Sequence, residues 1–190
     1  MRFVIACGGT GGHLHPGMAT GRVLLDAGHE VCLWLAGKSI EQTIRATWQG
    51  PVETLATAWQ PDRSPWAAAR LPVTLLAGLG QALIRLRGTR RPDLLLAMGS
   101  RASVLPVIAA RLRGIPVVLH ESNAIPGKAV QWLSRSFRVT VALGFAETAA
   151  RLPGRLTRHV GFPLRDLTPT GPLPGLPPGP GPVFLVMGGS

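Results

Sequence analysis

The chain has 190 residues, 46% of them hydrophobic, and a formal net charge of +11. That length supports one well-buried domain and the beginning of another, and the hydrophobic share excludes a disordered chain. No uninterrupted apolar run reaches the roughly 18 residues of a membrane-spanning helix. Arginine supplies nearly all the charge, which suits an anionic membrane face or a phosphorylated substrate. Tyrosine is absent and no basic motif with interleaved aromatics occurs, so nucleic acid is not expected as a partner.

From Met1-Arg2 the chain runs directly into an apolar segment at 3–7, which reads as a first strand and not as a tripartite leader. The turn Gly8-Gly9-Thr10-Gly11-Gly12-His13 follows, with four glycines in five positions. Glycines there strip side chains from a strand-to-helix turn and let a phosphate approach bare N–H groups, while His13 adds a titratable ring. Two common phosphate loops fail on spacing. A dinucleotide turn beginning at Gly9 and Gly11 needs a third glycine where Leu14 stands, and the second strand ends in Trp34-Leu35-Ala36-Gly37 without an acid for the ribose. A Walker loop needs Gly-Lys-Ser/Thr, and Gly12 is followed by His13.

Residues 17–27 read as a helix closed by Gly28, with Met18, Gly21 and Leu25 on one face and Gly21 small enough to approach the sheet. A strand is expected at 31–36. Cys7 and Cys32 fall in these buried strands with no metal-type spacing and are read as reduced core thiols of a cytoplasmic protein. Helices are expected at 39–48 and 65–91. The second carries Trp66, Leu75, Leu79 and Leu83 beside Arg85 and Arg87, as would a helix resting on an anionic membrane, or one packing on a core with a solvated basic end.

Strands at 94–98, 117–120 and 139–143 alternate with helices at 103–113, 125–134 and 145–152, and the continuous apolar runs indicate strands buried on both faces. The fold class is therefore α/β, a doubly wound parallel sheet of Rossmann-like type. Ligands of such sheets collect at the C-terminal ends of strands, where Met98-Gly99-Ser100-Arg101-Ala102-Ser103 and His120-Glu121-Ser122-Asn123 lie. The Pro- and Gly-rich stretch 167–182 reads as a linker, and 183–190 as a new strand with a second glycine turn. The expected organisation is a first domain at 1–166, the linker, and the opening of a truncated second domain.

GGTGGHLHPGMA at 8–19, HESNAIPGKA at 120–129, VGFPLR at 160–165 and MGGS at 187–190 resemble the MurG family of GT-B glycosyltransferases. The resemblance runs through the whole chain in order. It implies an inverting enzyme of bacterial cell-wall synthesis, peripheral on the cytoplasmic face of the plasma membrane, which moves N-acetylglucosamine from UDP-N-acetylglucosamine to the undecaprenyl-diphosphate acceptor lipid I. The N-terminal half would bind mainly the acceptor and the C-terminal half most of the donor, with neither a cofactor nor a metal. By position, Thr10, Gly11 and Gly12 match the donor contact of the first glycine loop, and Asn123 matches a cleft asparagine. Arg165 matches a donor-binding arginine and Ser190 the serine of a third glycine loop. His13 matches the histidine proposed as general base, with a structural cap or phosphate contact as its other reading, and Glu121 is the other candidate for base or for orienting a partner. Departures are Ser100, Arg101 and Leu105 at the second loop's second glycine, aromatic and proline, and Phe162 for an asparagine. A second reading is a non-catalytic membrane- and diphosphate-lipid-binding subunit that recruits a separate donor-binding partner.

Overall fold

The computed structural model describes residues 1–37, 47–55 and 65–164, with backbone only at 65–70. Seven strands, β1 (Arg2–Ala6), β2 (Glu30–Leu35), β3 (Val52–Thr54), β4 (Leu94–Ala97), β5 (Val117–Glu121), β6 (Thr140–Leu143) and β7 (Leu156–His159), form one sheet in the order β3-β2-β1-β4-β5-β6-β7. Every pairing is parallel. Among the described residues the longer helices are α1 (Gly11–Asp26), α2 (Pro65–Arg85), α3 (Val104–Leu112) and α4 (Lys128–Ser136). This is the doubly wound α/β sheet expected from the alternating pattern, and its strand order reverses between β1 and β4. Such a reversal opens a crevice above the carboxyl ends of the two strands.

Side chains alternate across the sheet and build two cores. Val4, Ala6, Trp34, Leu95, Ala97, Leu119 and Val141 face the side covered by α2, α3 and α4, with Ala82, Val107 and Leu133 among the helical contributions. Ile5, Cys7, Val31, Leu33, Leu35 and Met98 face the other side, against Leu14 and Met18 of α1 and against Trp48. Cys7 and Cys32 consequently pack on opposite faces and both are free thiols. Burial pushes the Cys32 thiol up to about 12, with the Glu53 carboxylate adding to the effect, so it is inert at neutral pH.

Two glycines let α1 lie close to the sheet. A Cβ on Gly17 would stand 2.5 Å from the Cys7 Cβ, and one on Gly21 would meet the Trp48 ring at 2.5 Å and Ile5 at 3.3 Å. The approach anticipated at Gly21 is therefore present.

Several boundaries differ from the sequence reading. Helix α1 begins at Gly11, not at residue 17, and carries Pro16 inside it, which has no N–H and so forfeits one helical hydrogen bond. Helix α2 stops at Arg85 and a separate 3-10 turn occupies Gly88–Arg90; Arg87 between them is extended, with φ −114° and ψ 157°, and breaks the helix. The expected helix at 145–152 is a 3-10 segment, Ala146–Arg151. Strands β3 and β7, short and poor in buried residues, were not anticipated. The expected helix at 39–48 falls almost wholly outside the described residues, as do the linker and the strand at 183–190.

Candidate functional site

The turn after β1 and the turn after β4 flank the crevice and are pinned together. Ser100 donates from Oγ to the Gly8 carbonyl at 2.7 Å, and Ser103 from Oγ to the Ala6 carbonyl at 3.2 Å. Gly9 has a φ of 121°, which an L side chain rarely adopts, and Gly99 is more constrained still. With a φ of 82°, a Cβ on Gly99 would lie 2.6 Å from the His120 carbonyl oxygen. The serine that replaces a glycine in the second loop thus has a structural task, tying two strand ends with its hydroxyl.

Thr10 is the N-cap of α1 in extended conformation, yet its side chain makes no capping bond. Its Oγ1 lies 2.8 Å from His13 Nδ1 instead. The first turn therefore has no side-chain cap and no acidic residue, and Gly12 is exposed with open space where a Cβ would be. Gly11 and Gly12 N–H groups have no intrahelical acceptor and sit at the positive end of the helix, so the turn favours an anion. Burial holds His13 below the ordinary histidine range, with the Glu121 carboxylate pulling it part of the way back and His120 deepening the shift. A neutral ring results at pH 7. Thr10 Oγ1 occupies Nδ1 and leaves Nε2 to face a ligand; the tautomer with its proton on Nδ1 is the form a general base requires.

β1, β4 and β5 are neighbours in the parallel sheet, so the end of β5 lies on the same side as the glycine turn, and Glu121 and His120 act electrostatically on His13. His120 is buried; Nε2 lies 3.4 Å from the Gly161 carbonyl and Nδ1 3.2 Å from Ser122 Oγ. Because a carbonyl only accepts, Nε2 is the donor and Nδ1 takes the Ser122 hydroxyl proton. Burial lowers this ring too, while the Gly161 bond and Glu121 act in the opposite sense. His120 thus ties β5 to the chain leaving β7.

Glu121 is 3% exposed. Its Oε1 accepts from the Asn123 N–H at 2.9 Å and from Asn123 Nδ2 at 2.8 Å, and its Oε2 accepts from the Gly127 N–H at 2.7 Å. Thr148 Oγ1 reaches the Asn123 and Ala124 carbonyls at 3.1 and 3.3 Å and secures the same loop from the far side. Phe162, at the position of the missing asparagine, lies edge-on to Phe145 with ring centroids 4.9 Å apart. Nothing in the sequence marked that pair, since the two rings are brought together only by the pairing of β6 with β7. Among the described residues no group of three or more His, Cys, Asp or Glu side chains is placed to hold a metal ion.

The expected membrane residues divide. Leu79 and Leu83 pack against the core, and Arg85 turns inward, donating from Nη1 to the Thr54 carbonyl at 2.8 Å and pairing from Nε with Glu53 Oε2 at 3.2 Å. These three are corrected: spacing along α2 aims them at the sheet and β3, a strand the sequence reading had not placed. Leu75 and Arg87 are exposed, and the outward apolar surface is Val73 (70%), Leu76 (69%) and Ile84 (67%). The Trp66 side chain, Arg165 and Ser190 lie outside the described residues.

The profile described as Glycosyltransferase family 28 N-terminal domain matches residues 3–141. The chain belongs to this family. It is 37% identical over its full length to the UDP-N-acetylglucosamine–N-acetylmuramyl-(pentapeptide) pyrophosphoryl-undecaprenol N-acetylglucosamine transferase of Synechococcus sp. (strain JA-3-3Ab), of which it covers 51%. The enzyme of the same name from Protochlamydia amoebophila is 34% identical over 87% of this chain and 43% of its own. The chain thus spans about half the length of the curated relatives it matches. Among solved structures, Acinetobacter baumannii MurG aligns with a TM-score of 0.69 at 22% identity, covering 86% of this chain and 46% of that one. Anabaena HepE in complex with UDP and glucose aligns at 0.57 and 17% identity, over 83% and 43%. At these identities the structural likeness speaks for the fold, which the family 28 chain shares with glycosyltransferases.

Proposed function

We propose that the chain is the acceptor-binding half of an inverting transferase that moves N-acetylglucosamine from UDP-N-acetylglucosamine to lipid I, forming lipid II. One observation carries the assignment of chemistry: a neutral His13, oriented through Nδ1 by Thr10, stands beside a bare helix N-terminus at the topological switch point. In the transfer, the acceptor hydroxyl oxygen bonds to the anomeric carbon while that carbon's bond to the UDP oxygen breaks. The hydroxyl proton passes to His13 Nε2, and the departing diphosphate keeps the electron pair. Charge developing on that diphosphate is stabilised by the Gly11 and Gly12 N–H groups. Arg165 and Ser190 are proposed to contact the donor, as their motifs suggest.

General-base catalysis supplies about 10²- to 10⁴-fold. His13→Ala in the full-length protein should lower kcat by that factor, measured with UDP-N-acetylglucosamine and a lipid I analogue, while donor affinity by calorimetry stays within about twofold. Unchanged turnover would remove the base assignment.

Lipid I never leaves the bilayer, so the enzyme must reach the membrane. No helix among the described residues is long and apolar enough to cross it. The outward stripe of α2, Val73, Leu76 and Ile84, with exposed Arg87 and Arg90 beyond it, is proposed to dock on the anionic cytoplasmic face of the bacterial plasma membrane. In liposome flotation the protein should rise with phosphatidylglycerol vesicles, and a Leu76→Glu/Ile84→Glu double variant should stay at the bottom. Equal flotation of the two would discard this surface.

A further inference from the structure

We infer that Ile125, Phe145, Phe162 and Leu164 form an apolar seat at the C-terminal ends of β5, β6 and β7, against which the second half of the full-length protein lays an apolar surface of its own. The inference rests on the proposed reading of the chain as half of a longer transferase, and it states where and by what chemistry the other half is held.

The path of the chain after β7 builds the seat. Gly161 takes a φ of 76°, which turns the chain as it leaves the strand. Val160 and Gly161 both donate their backbone N–H to the Leu143 carbonyl, at 3.0 and 3.2 Å, so the turn is fastened to the end of β6. The Gly161 carbonyl accepts from His120 Nε2 at 3.4 Å, a bond that reaches it from β5. The Phe162 ring then covers the Gly144 backbone, where a Cβ would stand 2.9 Å from it, and meets Phe145 edge-on. Gly144 in turn donates its N–H to the Glu121 carbonyl at 2.8 Å. The exit segment is thus held by two neighbouring strands and directed back from the sheet edge toward the cleft. The seat depends on the departure at 162, since an asparagine there would leave Phe145 without its partner ring.

What the seat presents is apolar and uncharged. Ile125 is 66% exposed and Leu164 70%, and the two rings keep 38% and 40% of their surface in solvent although they pack on each other. None of the segments 124–126, 144–146 and 160–164 carries a charged residue. Neighbouring strands lie about 4.8 Å apart, so the three segments adjoin, and exposed apolar clusters of this kind mark surfaces that bind something. The lack of charge separates this surface from the α2 stripe, which has arginines beside it to meet an anionic bilayer, and assigns it a protein partner. Connection identifies that partner. Leu164 leads into the rest of the polypeptide, and the chain spans about half the length of its curated relatives. A domain tethered there meets the seat at an effective concentration on the order of millimolar, so a modest apolar contact holds it. Because β5 serves both the seat and the cleft, the second half is then fixed relative to the glycine turn.

Hydroxyl-radical footprinting reads the seat directly, because these side chains oxidise when water reaches them. In the full-length protein the four residues should oxidise about fivefold or more slowly than in the 190-residue chain, as the core of an interface excludes water. Exposed Val23 on α1 should keep its rate in both, and buried Leu119 should stay unoxidised in both. Slow oxidation of the seat in both chains would mean that residues 165–190 cover it themselves, and fast oxidation in both that nothing does; either result overturns the inference. A second measurement needs only the full-length protein. Ile125→Asp/Leu164→Asp alters two side chains that stand mostly in solvent, and it should return Phe145 and Phe162 to the fast rate. Continued protection of the rings overturns the inference. Turnover of the unaltered full-length protein with UDP-N-acetylglucosamine and a lipid I analogue is scored separately: protection without transfer upholds the seat and removes the reaction, and transfer with an unprotected seat does the reverse.

Discussion

The turn after β1 offers backbone to the cleft, with Gly11 and Gly12 at the start of α1 and no side-chain cap, whereas the loop after β5 offers an amide side chain held by a buried carboxylate. The first is made rigid from below, by Ser100 on the Gly8 carbonyl and by Gly17 lying on Cys7. The second is made rigid from within, by Glu121. A backbone site depends on what its neighbours leave out, and a side-chain site depends on a charge that has to stay satisfied. Substitutions should therefore damage the two in different ways.

The largest effect on folding is expected at the carboxylate. Glu121→Ala leaves three part-buried N–H donors without their acceptor, and each orphaned group costs up to about 1–3 kcal/mol before any water enters. A loss of about 3 kcal/mol is expected in urea unfolding of the chain, with an unchanged m-value. A loss below about 1 kcal/mol would mean that the loop is held mainly by Thr148, and the contrast between the loops would narrow.

On the side of the glycine turn, Gly17→Ala should cost about 1–3 kcal/mol, the range for overpacking. Its new methyl would meet the Cys7 Cβ at 2.5 Å, and a β-carbon cannot swing aside. Helix propensity favours alanine by about 1 kcal/mol and works against the clash. A net stabilisation in thermal melts would show that α1 can lift from the sheet, and the turn above it would then be less firmly placed than the β5 loop.

How much of this was legible in the sequence follows the same division. The five strands with continuous apolar runs were read close to their bounds, because a strand buried on both faces has to be apolar throughout. Strands β3 and β7 were missed since they lie at the edges, where Val52-Glu53-Thr54 and Leu156–His159 bury little. The glycine turn and the polar cluster at 120–123 stood out because packing alone gives no reason for four glycines or for four polar residues after a buried strand. What the sequence left open was partnership. His13 with Thr10 and Glu121 with Gly127 are separated by loop geometry, so Glu121 read equally as base or as support, and Leu79, Leu83 and Arg85 read as surface until β3 and the core were in place. Ser100 looked like a defect in a glycine loop and is a tie between two strand ends.

Acid should weaken the fold through the two histidines. Burial lowers both His13 and His120 in the folded chain, so below about pH 6.5 the unfolded chain binds more protons than the folded one. Their contribution is fully present above that pH and is lost as pH falls through the folded values. The urea midpoint should decline from pH 7 to pH 5, and His13→Gln should flatten part of that decline. An identical pH dependence in the variant would count against a buried, neutral His13.

The smallest effect is expected at Thr10. Its Oγ1 lies 2.8 Å from His13 Nδ1, and in the proposed mechanism it accepts the Nδ1 proton, which keeps Nε2 as the basic nitrogen. Valine matches threonine in shape and suits the extended N-cap backbone, with φ −139° and ψ 161°, but has no acceptor. One hydrogen bond of this kind is worth about 0.5–1.5 kcal/mol, which converts to roughly 2- to 13-fold in rate. Thr10→Val should lower kcat by that amount with KM for the donor unchanged, and Thr10→Ser should restore it. A rise in KM at constant kcat would instead give Thr10 a direct contact with the ligand. In that case His13 would be held by its burial alone, and the glycine turn would work wholly through its own groups, as the β5 loop does not.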